Sequence, residues 1–159
     1  MTFIEENIIK QILVELCEIL SNQCIITGSC ADLFNIGYTQ IEDFDLVIEE
    51  TAYNTLPKEC MSRLKQIRTL KHKKDQHILK RFLYKNYIVD LMVKKESLID
   101  KDIHTVHINN KSILVFGNKA RYNQLKTYRY RQTTHEKKYP KMLARMKQYE
   151  ALLDKQNGN

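Results

Sequence analysis

Two aspartates, Asp43 and Asp45, stand two positions apart in the run Asp43-Phe44-Asp45-Leu46-Val47. Residues two apart in a β-strand share a face, so this run predicts two adjacent carboxylates with Phe44 pointing into the core. Adjacent carboxylates repel each other unless a cation joins them. Mg²⁺ prefers such oxygen ligands and usually completes its shell with water and substrate phosphates. The run therefore indicates a metal site that handles phosphate groups.

Upstream of these aspartates, Gly28 and Ser29 stand between the apolar run 24–27 and a short helical pattern that ends near Gly37. A glycine lets the backbone come close to a phosphate, and the amides of such a turn, with the following helix N-terminus, favour an anion. The Ser29 hydroxyl can add a hydrogen bond. Gly28 and Ser29 are therefore predicted to line the phosphate end of the site.

The strands that must position these residues are predicted from apolar and β-branched runs. The two residues Lys85-Asn86 separate two such runs and predict a hairpin. A second hairpin is predicted across Asn109-Asn110-Lys111. The strands predicted in this way are 24–27, 43–48, 78–84, 87–93, 105–108 and 112–116.

Helices are predicted where apolar residues recur at helical spacing. An amphipathic helix is expected over residues 4–20, and a helical segment is expected from Lys119 onward, with a break near Pro140. A further helix is predicted to start around Pro57, with the apolar positions Leu56, Cys60, Met61, Leu64 and Ile67.

This order of elements predicts an α/β (α+β) fold, in which helices cover a mixed β-sheet and a basic helical segment lies at the C-terminus. The chain has 159 residues, of which 43% are hydrophobic, and this is enough for one ordinary core. No linker or repeat divides it, so residues 1–155 are predicted to form one domain with a frayed tail at 156–159.

The net charge of +7 is unevenly distributed along the chain. Residues 1–57 contain one lysine against ten acidic residues, a balance of −9, so the remainder carries +16. An acidic first third and a basic remainder fit a carboxylate site framed by cations that attract phosphate-rich ligands. A solvated basic surface that serves only solubility is the alternative.

The cellular location is predicted from the absence of two sequence features. No run approaches the roughly 20 apolar residues that span a bilayer, and the N-terminus has no basic segment leading into an apolar stretch. The four cysteines lack zinc-type spacing and are expected to be reduced and mostly buried. These observations predict a cytoplasmic protein without a membrane partner.

The order Gly28-Ser29, short helix and Asp43-Phe44-Asp45 resembles the DNA polymerase beta-like nucleotidyltransferase superfamily. It is most similar to small bacterial members, including those of abortive-infection and toxin systems. The resemblance covers roughly residues 24–93 and implies a third carboxylate on a neighbouring strand. Asp90 matches it, because an ionised aspartate in the apolar run 87–93 would be costly to bury unless paired or metal-bound. Exposure of Asp90 on an edge strand is the alternative.

The resemblance implies a nucleotidyltransferase that uses two Mg²⁺ ions and a nucleoside triphosphate such as ATP. A nucleoside monophosphate would move to an acceptor hydroxyl, and positive charge favours RNA or tRNA as the acceptor. The implied metal-binding and catalytic residues are Asp43, Asp45 and Asp90. The implied nucleotide-binding residues are Gly28, Ser29 and Lys126, and the implied acceptor-binding residues are Arg129, Arg131 and Lys138.

Other functions remain open at this point. The acceptor could instead be a protein or a small molecule such as an antibiotic. A non-catalytic nucleic-acid binder or interaction protein on a degenerate transferase fold would fit the basic remainder and its tyrosines, Tyr122, Tyr128, Tyr130 and Tyr139. Binding to phosphates alone does not explain the carboxylates, which repel a phosphate backbone unless metal is present.

Overall fold

Seven strands form one mixed sheet in the computed structural model, which describes residues 2–72, 77–131 and 139–158. The strands lie in the order β3-β4-β5-β2-β1-β7-β6. Their bounds are β1 Ile25–Thr27, β2 Phe44–Glu49, β3 Lys65–His72, β4 His77–Tyr84, β5 Tyr87–Lys94, β6 Ile103–Ile108 and β7 Lys111–Phe116. The helices are α1 Glu6–Ile19, α2 Gly28–Ile36, α3 Glu50–Asn54, α4 Lys58–Met61, α5 Asn118–Arg131 and α6 Tyr139–Gln156. The predicted fold class is confirmed.

Alternation along the strands separates the two faces of the sheet. Phe44, Leu46 and Ile48 of β2 are buried in the core cluster that also holds the apolar stripe of α1. Their neighbours Asp45 and Val47 point to the opposite face. The main core therefore lies on the α1 side. The other face carries Asp45 beside a smaller buried apolar cluster of Ile25, Val47, Leu98 and Phe116.

Parallel pairing of β2 with β5 brings two distant parts of the chain side by side. Asp45 is directly opposite Asp90 in this register. On its other side β2 pairs antiparallel with β1, which places Thr27 opposite Asp45. The residues of the glycine-serine turn therefore follow a strand next to the first aspartates.

Both predicted hairpins are present. β4 and β5 turn at Lys85 and Asn86, whose φ angles of 49° and 68° fit a two-residue hairpin turn. The second hairpin turns at Asn109-Asn110 alone, so Lys111 begins β7 instead of belonging to the loop.

The helix predicted from Pro57 to Ile67 is wrong. Only Lys58–Met61 is helical, and β3 begins at Lys65. Ile67 is 51% exposed instead of lying on a buried helical stripe. The helical spacing of the apolar residues was coincidental, because pairing with β4 satisfies the backbone groups of this segment and overrides the local pattern.

The C-terminal helices α5 and α6 pack against each other through a separate small apolar cluster. Leu125, Met146 and Tyr149 are its buried members. No helix in the described ranges is both long and apolar enough to cross a bilayer. The cysteines are free thiols, three of them buried and Cys60 half-buried, as predicted.

Candidate active site

A cleft of about 770 Å³ opens on the sheet face that α1 does not cover. The carboxylates of Asp43, Asp45 and Asp90 lie on its floor, and Gly28 and Ser29 lie beside them. Residues of α5 and α6 form one wall, and the β4–β5 hairpin forms the opposite flank. The structure therefore brings together the predicted carboxylates and the predicted phosphate-binding turn.

Three carboxylates meet at the centre of this floor. One oxygen from each of Asp43, Asp45 and Asp90 lies within 4.8 Å of the others. Asp43 immediately precedes β2 and Asp45 is its second residue, while Asp90 comes from the neighbouring β5. Phe44 is fully buried on the other face, as strand alternation requires.

The carboxylate of Asp45 lies beside two other acidic groups. Burial, together with the charges of Asp43 and Asp90, raises its pKa to about 7. The site therefore holds more negative charge than its surroundings compensate. A divalent cation would remove that excess, and an all-carboxylate donor set suits Mg²⁺.

Asp90 is held by an arginine that the sequence analysis did not single out. Arg81 of β4 donates from Nε to Oδ1 of Asp90 at 2.7 Å and from Nη2 to Oδ2 at 2.9 Å. The hydrogen bond to Asp90 raises the pKa of the Arg81 guanidinium. Asp90 is only 9% exposed and lies on an interior strand, so its charge is paired within the sheet and not solvated at an edge.

Gly28 begins α2 with a φ of 62°, a left-handed conformation that glycine adopts without strain. A Cβ at this position would lie 2.8 Å from the Cβ of Asp45 and closer still to its carboxylate. Thr27, the residue before it, donates its hydroxyl to Oε1 of Gln124 on α5 at 2.9 Å. The turn is thus fitted between the carboxylate floor and the α5 wall.

A second buried carboxylate, Asp32, organises the helical wall. Arg121 of α5 binds both of its oxygens, at 2.8 and 2.9 Å. Arg145 of α6 adds a contact at 2.6 Å, and the Tyr149 hydroxyl donates to Oδ1. Burial alone would raise the pKa of Asp32, but the Arg121 guanidinium outweighs it and holds that pKa below the ordinary value. Asp32 therefore ties α2 to both C-terminal helices.

Arg145 reaches the cleft from this network. Its guanidinium lies 4.4 Å from the centroid of the Tyr38 ring, and both residues line the cleft wall. Stacking and the bond to Asp32 fix the orientation of this cation. The helical wall thus presents a positioned positive group to the cleft.

The remaining predicted site residues lie elsewhere or cannot be placed. Lys126 is exposed on α5 with its ammonium 5.2 Å from the Tyr122 ring centroid, and it is not among the residues that line the cleft. Arg129 and Arg131 belong to the last turn of α5, but their side chains lie outside the described part of the structure. Lys138 also lies outside the described residues.

No protein-family model matches this chain, and no curated protein matches its sequence. Two solved structures resemble its fold. One, an antigenic nucleotidyltransferase-like protein from Paracoccidioides brasiliensis, has a TM-score of 0.59 at 13% identity, over 95% of this chain and 79% of that protein. The other, a candidate nucleotidyltransferase from Thermotoga maritima, has a TM-score of 0.63 at 14% identity, over 87% of this chain and 96% of that protein. The chain therefore has a nucleotidyltransferase-like fold.

Proposed function

We propose that this protein is a metal-dependent nucleotidyltransferase that moves a nucleoside monophosphate from a triphosphate to an acceptor hydroxyl. The observation that carries the proposal is the meeting of Asp43, Asp45 and Asp90 within 4.8 Å on a cleft floor. Gly28 and Ser29 lie beside them at the start of α2. The nucleotidyltransferase-like fold of the chain supports the same reading.

The three aspartates would hold the metal, for which two Mg²⁺ ions are proposed. When bound, Mg²⁺ would offset the negative charge that develops on the transferring phosphate and on the leaving pyrophosphate, and it would lower the pKa of the acceptor hydroxyl. The excess charge at Asp45 and the hard oxygen donors of the site fit this ion.

The residues of the chain divide the remaining tasks. Ser29 and the amides at the start of α2 bind the triphosphate, because a helix N-terminus favours an anion. The acceptor oxygen attacks the α-phosphorus, the bond from that phosphorus to pyrophosphate breaks, and pyrophosphate leaves. The hydroxyl proton moves to a carboxylate oxygen of Asp90, which keeps free lone pairs beside those used by Arg81.

RNA or tRNA is the proposed acceptor, and ATP is the first nucleotide to be tested. The balance of +16 after residue 57 supports a phosphate-rich acceptor. Arg129, Arg131 and Lys138 remain proposed contacts for it. The free thiols support a cytoplasmic location, where disulfides are rare. Membership of a toxin or defence system also remains a proposal.

The test is incubation of the protein with Mg²⁺, a cell extract and each of the four triphosphates labelled on the α-phosphate. Labelled RNA, protein and small molecules are then separated. We expect label in the RNA fraction, lost when Mg²⁺ is chelated and absent with Asp45→Asn. Label in protein or small molecules would support nucleotidyl transfer and overturn the proposal that RNA is the acceptor. No label in any fraction would overturn nucleotidyl transfer.

A further inference from the structure

A straight row of paired residues crosses five strands through the candidate site. Thr27 lies opposite Asp45, Asp45 opposite Asp90, and Asp90 opposite Arg81. The row ends on β3, where Arg68 lies opposite Arg81. Neighbouring strands are about 4.8 Å apart, so Arg68 stands roughly 10 Å from Asp90 across the sheet. The phosphate-binding turn therefore lies at one end of the row and two arginines lie at the other.

The chemistry of transfer gives the two ends different roles. In an in-line displacement, the attacking oxygen and the leaving group lie on opposite sides of the phosphorus. If the leaving pyrophosphate is held at Gly28 and Ser29, the acceptor must approach from the opposite side of the carboxylates. That side is the β4–β3 flank, which carries Arg81 and Arg68.

The pairing of two arginines across strands is itself unusual. Like charges directly opposite each other in a sheet are destabilising. Arg81 is compensated by Asp90, whereas Arg68 has no carboxylate partner among the described residues and is exposed. The two side chains line a small cavity of about 50 Å³ together with Leu70 and Leu79. An anion seated between the two guanidinium groups would offset their repulsion.

We propose that Arg68 and Arg81 bind a backbone phosphate of the acceptor, a single-stranded RNA, and so direct its hydroxyl towards Asp90. This inference rests on the proposed function. Guanidinium groups suit this task because they carry five N–H donors, and the fork of Arg68 matches two phosphate oxygens. Arg81 gives its Nε side to Asp90 and would contact the phosphate from its other nitrogen. The acceptor contacts on the sheet flank would act in addition to any made by α5.

The surface beside the arginines favours an unpaired strand. Leu70 and Ile88 are 36% and 37% exposed. Leu79 is half-buried on β4, opposite Leu70 of β3. No described helix makes an extensive contact with β3 or β4. Unpaired bases can lie on such apolar side chains, whereas a duplex would present mainly phosphates. A protein acceptor is an alternative outcome of the test.

The experiment measures binding of a fluorescein-labelled single-stranded RNA of about 12 nucleotides, a typical site size for one domain. Fluorescence anisotropy is recorded with Mg²⁺ at several KCl concentrations. The proteins are wild type, Arg68→Gln and the control Lys80→Gln. Lys80 belongs to the same hairpin but points to the other face, where its ammonium lies 4.8 Å from the Tyr53 ring centroid. Both substitutions remove one charge.

We expect Arg68→Gln to raise the Kd about fivefold and to reduce the slope of log affinity against log salt by about 0.7, the loss of one phosphate contact. Lys80→Gln should stay within about twofold of wild type. Equal affinity of wild type and Arg68→Gln, or an equal loss in both variants, would overturn the inference. Absence of salt-dependent RNA binding by wild type would overturn it too.

A second measurement separates this inference from the proposed function. Thermal stabilisation by each of the four nucleoside triphosphates with Mg²⁺ is recorded for wild type and Asp45→Asn. If only wild type is stabilised but Arg68→Gln leaves the RNA affinity unchanged, the proposed RNA site at Arg68 and Arg81 is wrong. The transferase proposal then stands. If RNA binding depends on Arg68 but none of the four nucleoside triphosphates stabilises wild type, the transferase proposal fails, and the arginines bind RNA for another purpose.

Discussion

Gly28 lies directly against the side chain of Asp45. A Cβ at Gly28 would come within 2.8 Å of the Asp45 Cβ, a separation that real Cβ atoms essentially never show. The glycine-serine turn and the carboxylate floor are therefore one packed unit. A larger residue in the turn would displace the proposed metal ligand, in addition to obstructing the nucleotide.

Replacement of Gly28 by alanine tests this packing. Gly28→Ala should lose the stabilisation by ATP and Mg²⁺, because the new methyl group pushes Asp45 out of position. Gly37→Ala is the matched control, since Gly37 has a similar φ of 70° but no atom within 4 Å of a Cβ. The left-handed φ should cost each variant about 1 kcal/mol of folding stability. Gly28→Ala should lose more than Gly37→Ala, because only its Cβ meets Asp45. Equal ATP affinity in the two folded variants would contradict the prediction.

Replacement of either first aspartate tests the metal site. Asp43→Asn and Asp45→Asn should each reduce transfer to below about one hundredth of wild type, because even outer-shell partners of a metal typically cost 10–100-fold. Their thermal midpoints should not fall much, since the change relieves repulsion among carboxylates. The exposed Asp100→Asn should keep full activity. Undiminished turnover in either site variant would contradict the assignment.

The pH dependence of stability should reveal the buried charge network. Asp32→Asn should lower the unfolding free energy by about 3–5 kcal/mol at pH 7, because Arg121 and Arg145 lose their counter-ion. The pKa of Asp32 lies below its ordinary value of 3.8 in the folded state. Its contribution is therefore present above pH 3.8 and is lost as pH falls through the folded pKa. Denaturant titrations should show the two proteins converging in acid; a constant difference at all pH values would contradict this.

The basic end of α5 provides a further test of the RNA proposal. Arg129→Ala combined with Arg131→Ala should weaken RNA binding and reduce the salt slope by about 1.4, the value for two phosphate contacts to a single strand. Anisotropy at several salt concentrations measures both quantities. A flat salt response of wild type, or equal slopes in the two proteins, would leave protein or small-molecule transfer as the better function.

Strand alternation made the first part of the site predictable, because it correctly placed Asp43 and Asp45 together. Asp90 was indicated by the resemblance to a nucleotidyltransferase superfamily and by the apolar run around it. Arg81 could also have been found, because counting back from the turn at Lys85-Asn86 places it opposite Asp90. That count is a purely local rule.

The outer parts of the site could not be predicted in this way. Arg68 was missed because a helix was predicted up to Ile67 and no strand was predicted over Lys65–His72, so no cross-strand register could be counted there. Asp32 meets Arg121 and Arg145 across 89 and 113 residues of sequence, a separation that no local periodicity encodes. These contacts depend on how α5 and α6 return to the sheet.

The buried bonds of Asp32 also determine how the cleft can move. Swinging α5 and α6 away from α2 would strip a fully buried carboxylate of both arginines, and breaking such an ion network typically costs several kcal/mol. The bonds to Asp32 therefore oppose a hinge motion of α5 and α6 away from α2. A substrate of the proposed reaction would meet a preformed trough with a fixed back wall and would enter and leave along its open sheet flank.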